Sequence, residues 1–246
     1  MQKLKKLYRS QYSGENVITK LTLENAEWNP EAELVPNSVF NTYTTSQAIA
    51  IGNGESRLQF DLTHITNHKA GLGGADRLQS YGCNALYRDF TPDFLIATGT
   101  DMITEIANSG YCNNNIVYAN GDALIDHTGK FYLLPQNVYY DAGSLAAYMA
   151  CFDGHKKVYL LGYDSYHNTG PHNNVYKGTN AYPSEDQWNN NDFFTASLQH
   201  VIETYSDVDF IRVMPTDSWW WPESMMGMLN ARTITFRDFV LEADIG

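Results

Sequence analysis

Residues 47–56 read QAIAIGNGES, a short apolar strand that runs directly into a Gly-Asn-Gly turn. A strand that stops at glycines leaves backbone N–H groups pointing into the crevice at its carboxyl end, where an anion can bind. Asn53 tolerates a left-handed backbone, and Ser56 can cap the next element. Gly52 or Gly54 is expected to have a positive φ. The segment therefore predicts a loop for a phosphate or another anion, with a ligand-free strand-to-helix turn as the alternative.

Strands alternate with helices along the chain that follows this loop. Apolar runs predict further strands at DFLIATG (93–99), NIVYAN (115–120), KVYLLGYD (157–164) and VDFIRVMP (208–215). Helices are predicted at residues 101–108, 142–154 and 192–206. The alternation predicts an α/β fold, with a Rossmann-like, mainly parallel sheet covered by helices. Residues 47–51 and 157–161 are expected to be parallel neighbours, with their following turns at one edge.

The chain before residue 47 differs in character. Residues 1–46 are polar, and Pro30 and Pro36 are expected to interrupt any long element, although ENVITKLTLEN (15–25) alternates like an edge strand. We therefore predict an irregular N-terminal extension over residues 1–46, which wraps the domain or meets a partner. A single domain is predicted over residues 47–246.

Charge and composition exclude several classes of partner. The chain has 16 Lys and Arg against 28 Asp and Glu, a formal net charge of −12, so nucleic acid and anionic membranes are poor partners. No apolar run reaches the roughly 20 residues of a membrane span, and no apolar stretch follows the N-terminal charges, so no secretory signal is expected. The cysteines Cys83, Cys112 and Cys151 are widely spaced and odd in number, which predicts reduced thiols.

A second segment, DAGSLAAYMACFDGHKKVYLLGYDSY (141–166), supplies another wall of the crevice. Gly143 and Ser144 stand at a predicted helix start, and the following strand ends in Gly162-Tyr163-Asp164. An acid at a strand end can accept a hydrogen bond from a sugar hydroxyl, as acids do for ribose in dinucleotide-binding folds. A helix or turn cap is the alternative role of Asp164.

Taken in order, GNGES (52–56), YGCNALYRDFTPDF (81–94) and the segment 141–166 resemble the sialyltransferase-like glycosyltransferases and the related pterin-pyrophosphokinase-like proteins. The resemblance covers about residues 47–166 and implies a site for a cytidine nucleotide. The matching positions are Gly52, Asn53, Gly54, Ser56, Asn84, Gly143, Ser144, Gly162, Asp164 and Tyr166.

This resemblance implies sugar transfer from a cytidine-linked nucleotide sugar to a glycan or small acceptor. Backbone amides at 52–54 and Tyr166 would stabilise the leaving phosphate, and a histidine would take the acceptor proton. The region that holds the family's histidine does not align, so the candidates are His167, His172 and His200. Thr98 ends the strand at 93–99, where relatives often carry an acid. No cofactor beyond the donor is implied, and we expect metal independence, on the ground that no Asp-x-Asp metal signature is recognised in the chain.

The whole chain also resembles proteins encoded by tailed phages, particularly cyanophages, which implies the cytoplasm of an infected cell or the virion. The alternative function is therefore a structural or accessory virion protein that keeps the fold without catalysis. Its contacts would be residues 1–46 or the run Trp219, Trp220 and Trp221, because aromatic side chains anchor interfaces.

Overall fold

The computed structural model describes residues 3–9, 16–24, 27–35, 47–68, 78–164, 174–182, 191–216 and 221–246. The first three ranges form an antiparallel sheet of β1 (Lys3–Arg9), β2 (Asn16–Glu24) and β3 (Glu27–Val35). The alternating stretch at 15–25 does form a strand, β2, but the expectation of an edge strand is wrong, because β2 pairs on both sides. The expected irregular extension contains regular structure in these ranges. Pro30 does not interrupt β3, because β3 is an edge strand, where proline is tolerated. A domain boundary at residue 46 stays a prediction.

From Gln47 on, the described residues form an eight-stranded sheet in which every pair of neighbouring strands is parallel. The strands are β4 (Gln47–Ile51), β5 (Gln79–Cys83), β6 (Phe94–Ile96), β7 (Ile116–Ala119), β8 (Tyr132–Leu133), β9 (Lys157–Leu161), β10 (Asp209–Met214) and β11 (Ala231–Thr235). Their order is β11-β10-β9-β4-β5-β6-β7-β8. The predicted α/β fold with a mainly parallel sheet is confirmed.

Helices cover both faces of this sheet. They are α1 (Thr63–His68), α2 (Thr100–Ser109), α3 (Gly121–Asp126), α4 (Ala142–Phe152), α5 (Asn191–Thr204) and α6 (Phe236–Glu242). The core residues of α4 and α5 pack on one face, and those of α1, α2, α3 and α6 pack on the other. Among the described helices, none combines the length and apolar character needed to cross a membrane.

Helix α4 is apolar almost all round. Nearly every residue of its sequence AGSLAAYMACF is buried, because the helix lies between the sheet and α5. Its alanines let it pack closely against the strands beside it. α4 carries the chain from β8, at one edge of the sheet, back to β9 in the centre.

The order of the strands reverses beside β4. The chain adds β5 to β8 on one side of β4, and after α4 it adds β9, β10 and β11 on the other. β4 and β9 are parallel neighbours, with Gln47 opposite Lys157 and Ile51 opposite Leu161, as the sequence predicted. In open α/β sheets the ligand crevice lies at the carboxyl edge where the order reverses.

Sequence analysis missed β5 because its first two residues are polar. Gln79 and Ser80 have no exposed surface. Ser80 is satisfied internally, since its N–H and its hydroxyl both donate to Asp93 Oδ2 at 2.9 Å. The hydroxyl oxygen also accepts from the N–H of Asp93 at 2.9 Å. A buried strand can therefore begin with polar residues without any apolar signal.

The turn after β4 lies against the end of β9 instead of standing free. The N–H of Gly52 donates to the carbonyl of Leu161 at 2.8 Å, and that of Gly54 donates to Gly162 at 2.9 Å. The backbones approach so closely that a Cβ at Gly52 would lie 2.6 Å from the oxygen of Gly162. The predicted positive φ at Gly52 or Gly54 is wrong: Gly54 has φ −64°, and the positive value, 76°, is at Gly162. Gly52 and Gly54 are needed because they lack a side chain that would collide with the end of β9. The turn continues the pairing of β4 with β9 in extended backbone geometry.

Gly52→Ala should lower the free energy of unfolding by about 1–3 kcal/mol, the usual cost of forcing atoms into a filled space. The matched control is Gly121→Ala, because a Cβ at Gly121 meets nothing within 4 Å. Urea unfolding of both variants and the wild type measures the difference. Equal stabilities for the two variants would show that the contact between β4 and β9 is not tight.

Candidate functional site

The loops that follow β4, β5 and β9 meet the N-terminus of α4 at the carboxyl edge of the sheet. Asn53 Nδ2 donates to the carbonyl of Cys83 at 3.4 Å, which joins the loop after β4 to the end of β5. The hydroxyl of Tyr163, after β9, donates to the carbonyl of Gly143 in α4 at 2.7 Å. The predicted site residues of these four segments are therefore brought to one place, although binding of a ligand by them stays a prediction.

Asn53 and Asn84 place side-chain amides in the loops after β4 and β5. Asn84 begins the 3-10 helix after β5 with φ 48°, a left-handed backbone that asparagine tolerates. Its Oδ1 accepts from the N–H of Thr98 at 2.8 Å, so the threonine that follows β6 positions the amide. Asn53 Oδ1 is buried without a hydrogen-bond partner among the described residues. A buried acceptor without a partner is uncommon and can receive a hydrogen bond from a ligand.

Asp141 caps the N-terminus of α4. Its Oδ1 accepts from the N–H groups of Gly143 at 2.9 Å and Ser144 at 3.1 Å, and its Oδ2 accepts from the hydroxyl of Ser144. Burial raises the pKa of Asp141, and these hydrogen bonds oppose the rise. The Asp141 carboxylate also helps to raise the pKa of Cys83 to about 12, after the larger effect of burial. That thiol is therefore neutral and unreactive at physiological pH.

Asp164 hydrogen-bonds Ser56, the second residue of the 3-10 helix Glu55–Gln59. The carboxylate accepts from the N–H of Ser56 at 2.6 Å and from its hydroxyl. Asp164 is only 2% exposed. Burial raises its pKa, and the hydrogen bonds from Ser56 oppose the rise. Asp164 was predicted either to bind a sugar hydroxyl or to cap a turn, and this geometry is that of a cap. Ser56 was expected to do the capping, but its own N–H is the group that Asp164 caps.

Four backbone N–H groups of the predicted site residues already have hydrogen-bond partners inside the chain. The N–H groups of Gly52 and Gly54 bind the end of β9, and those of Gly143 and Ser144 bind Asp141. Backbone donors that already have internal partners cannot stabilise a leaving phosphate at the same time. The physical reason is the close approach of β4 and β9, which directs the amides of the turn toward the neighbouring strand.

A short segment, residues 174–182, lies over the loop after β4, and we call it the strap. The N–H of Val175 donates to the carbonyl of Asn53 at 2.8 Å. Tyr182, at the other end of the strap, accepts from Asn53 Nδ2 at 3.4 Å. In the middle, the buried Arg57 donates to the hydroxyl of Tyr176 at 2.7 Å. The strap therefore touches the candidate site through both its backbone and its side chains.

Of the three candidate bases, His200 is described by the structure, and it does not lie in this site. His200 is exposed on α5, where its ring lies 5.8 Å from that of Tyr140. His167, His172 and Tyr166 lie outside the described residues.

Trp221 is buried inside the chain. Its ring packs over the guanidinium of Arg212 in β10, 4.5 Å from Cζ to the ring centre. Trp221 is therefore not the exposed anchor that the virion hypothesis expects, because the Arg212 guanidinium already covers one face of its ring. Trp219 and Trp220 lie outside the described residues.

The described residues contain no group of three or more His, Cys, Asp or Glu side chains arranged to hold a metal. The chain does contain one Asp-x-Asp triplet, at Asp207 and Asp209. It lies at the amino end of β10, opposite the candidate site, and Asp207 pairs with Lys156. Metal independence stays a prediction.

Three residues of the site were missed by sequence analysis: Asp141, Tyr163 and Tyr182. Asp141 had a usable signal, because an aspartate directly before a helical stretch is a typical N-cap. Tyr163 follows an apolar strand, and nothing in the sequence distinguishes its hydroxyl from that of other tyrosines. Tyr182 lies more than 15 residues beyond the last motif, and its contacts depend on the path of the chain in between.

The comparisons with known proteins give a similarity of fold and none of sequence. No protein-family model matches the chain, and no curated protein sequence is significantly similar to it. The fold is similar to that of the sialyltransferase CstII from Campylobacter jejuni, solved in complex with a substrate analogue, cytidine-5'-monophosphate. The TM-score is 0.43 and the identity 12%, over 70% of this chain and 82% of that chain. Similarity at this level does not assign an activity to this chain.

Asp164→Asn should keep both contacts with Ser56, because the serine hydroxyl can turn to accept from the new amide. Asp164→Ala should cost about 1–3 kcal/mol by leaving the buried donors of Ser56 unpaired. The raised pKa of Asp164 means that its ionised form weakens the folded state. Wild-type stability should therefore fall relative to Asp164→Asn as the pH rises above the ordinary value of 3.8. Urea unfolding at pH 3.5 to 7 measures this; a constant difference would contradict it.

Proposed function

We propose that this protein binds a nucleotide sugar, cytidine-linked, at the carboxyl edge between β4 and β5 and transfers the sugar to an acceptor. The observation that carries the proposal is the convergence of Asn53 and Asn84 beside the point where the strand order reverses. Carboxamides offer a donor and an acceptor side by side, which suits the edge of a base or a ribose hydroxyl. The order of motifs in the sequence supports the cytidine nucleotide.

The geometry favours a nucleoside contact over a phosphate contact at these residues. Of the three amides expected to hold phosphate, those of Gly52 and Gly54 have internal partners, whereas the Oδ1 of Asn53 does not. We therefore assign Asn53 and Asn84 to the nucleoside. Tyr166 is retained as the proposed phosphate contact, from the sequence resemblance alone.

In the proposed reaction the acceptor oxygen attacks the anomeric carbon of the sugar. The bond between that carbon and the phosphate oxygen breaks, and the nucleotide leaves with the electron pair. One of His167, His172 or His200 takes the acceptor proton. His200 would need a change of position, since it lies on the outer side of α5 against Tyr140. The acceptor class, a glycan or small molecule, and an origin in a tailed phage remain proposals from the sequence resemblance.

Asn84→Gly should weaken binding of cytidine 5′-monophosphate about tenfold, since it removes one amide contact and preserves the positive φ. Asn114→Ala is the matched control, because Asn114 is exposed before β7, at the amino edge of the sheet. Isothermal titration and the ligand-induced rise in melting temperature measure both. Equal affinities in the two variants would remove Asn84 from the site, and absence of binding to the wild type would overturn the proposal.

Alanine at the histidine that acts as base should lower the rate of transfer by roughly 10²–10⁴-fold without weakening donor binding. His167→Ala, His172→Ala and His200→Ala are compared with His127→Ala, a histidine that packs against Phe131 after α3. Single-turnover rates at saturating donor separate the proton transfer from binding. Unchanged rates in all three variants would show that no histidine is the base.

A further inference from the structure

The strap closes over the candidate site through a tight turn. The N–H of Gly178 donates to the carbonyl of Tyr182 at 2.7 Å, and the N–H of Tyr182 donates to Thr179 at 3.0 Å. Ala181 has φ 64°, a left-handed backbone that is costly for alanine. The turn therefore fixes the direction of the Tyr182 side chain, which reaches back to the loops after β4 and β5.

The hydroxyl of Tyr182 lies between the two proposed nucleoside contacts. Asn53 Nδ2 donates to it at 3.4 Å. The side chain of Asn84 and the N–H of Ala85 also hydrogen-bond this hydroxyl and lower its pKa, against the larger effect of burial, which raises it. One phenol oxygen thus receives the contacts that a ligand hydroxyl would receive in the same place.

Tyr182 and a ligand acceptor cannot use the Nδ2 of Asn53 together. The two hydrogens of its Nδ2 are directed to the carbonyl of Cys83 and to Tyr182. A ligand acceptor at this amide would therefore have to replace one of these partners, and the tyrosine is the one on a separate segment.

We propose that Tyr182 is an internal substitute for a nucleoside hydroxyl, and that nucleotide binds only after the strap has lifted and removed this side chain from Asn53. The inference rests on the proposed function and adds that Tyr182 competes with the nucleotide for Asn53. A site that is open only part of the time has an apparent affinity reduced by the open fraction. Loosening Tyr182 therefore raises affinity, in contrast to the loss of an ordinary binding residue.

Polar contacts hold the closed strap at several points. Arg88 donates to the hydroxyl of Thr179 at 2.7 Å and to the carbonyl of Asn180 at 3.2 Å. Lys177 pairs with Glu55 at 2.6 Å across an exposed surface. Exposed polar contacts of this kind contribute little individually, so most of the cost of opening comes from the buried Tyr176, which Arg57 holds.

The first experiment measures the affinity of cytidine and of cytidine 5′-monophosphate for the wild type, Tyr182→Phe and the control Tyr132→Phe. Tyr182→Phe should bind both ligands roughly three- to tenfold more tightly, because it removes only the competing hydroxyl. Arg88→Gln, which loosens the strap elsewhere, should change affinity in the same direction. Equal or weaker binding in Tyr182→Phe would overturn the inference and leave the proposed function standing.

The second experiment follows hydrogen exchange at the N–H of Val175, which is bonded to Asn53 in the closed strap. Saturating cytidine 5′-monophosphate should accelerate this exchange in the wild type, and Tyr182→Phe should accelerate it without ligand. Slower exchange on binding would mean that the strap closes over the nucleotide, which contradicts displacement. If no variant binds either ligand, the proposed function fails, and the inference fails with it.

Discussion

The close contact of two backbones, at Gly52 and Gly162, is the constraint on which the candidate site depends. It prolongs the pairing of β4 and β9 past the ends of the strands and brings Asp164 onto Ser56. A side chain at either glycine would separate the strands at the place where their order reverses. The same contact occupies the N–H groups of Gly52 and Gly54, which favours recognition by side chains such as that of Asn53.

Much of the fold could be predicted from the sequence, because buried parallel strands and amphipathic helices leave periodic apolar signals. The pairing of β4 with β9 followed from the position of ligand crevices in such sheets. β5 could not be predicted, since Ser80 and its partner Asp93 satisfy each other only in the folded state. The local sequence pattern indicates which residues are buried, but it does not indicate which distant residues hydrogen-bond each other.

The meeting of these loops was predictable, but their contacts were not. The motifs were expected at one edge, because loops after parallel strands share one edge, and ligand binding there stays a prediction. The direction of each N–H group depends on the neighbouring strand. The sequence therefore could not show that Gly54 is needed for its lack of a side chain beside Gly162. Asp164 shows the same limit: an acid at a strand end can face a ligand or cap a turn, and only the position of Ser56 decides between them.

The central position of β4 has a consequence for synthesis on the ribosome. β4 is made early, yet one of its two partners, β9, is made only after β5 to β8 and α4. At about 5–20 residues per second, one edge of this apolar strand stays unpaired for roughly 5–20 s. An unpaired apolar strand edge is a template for aggregation, so the nascent chain is open to aggregation at this edge until β9 emerges.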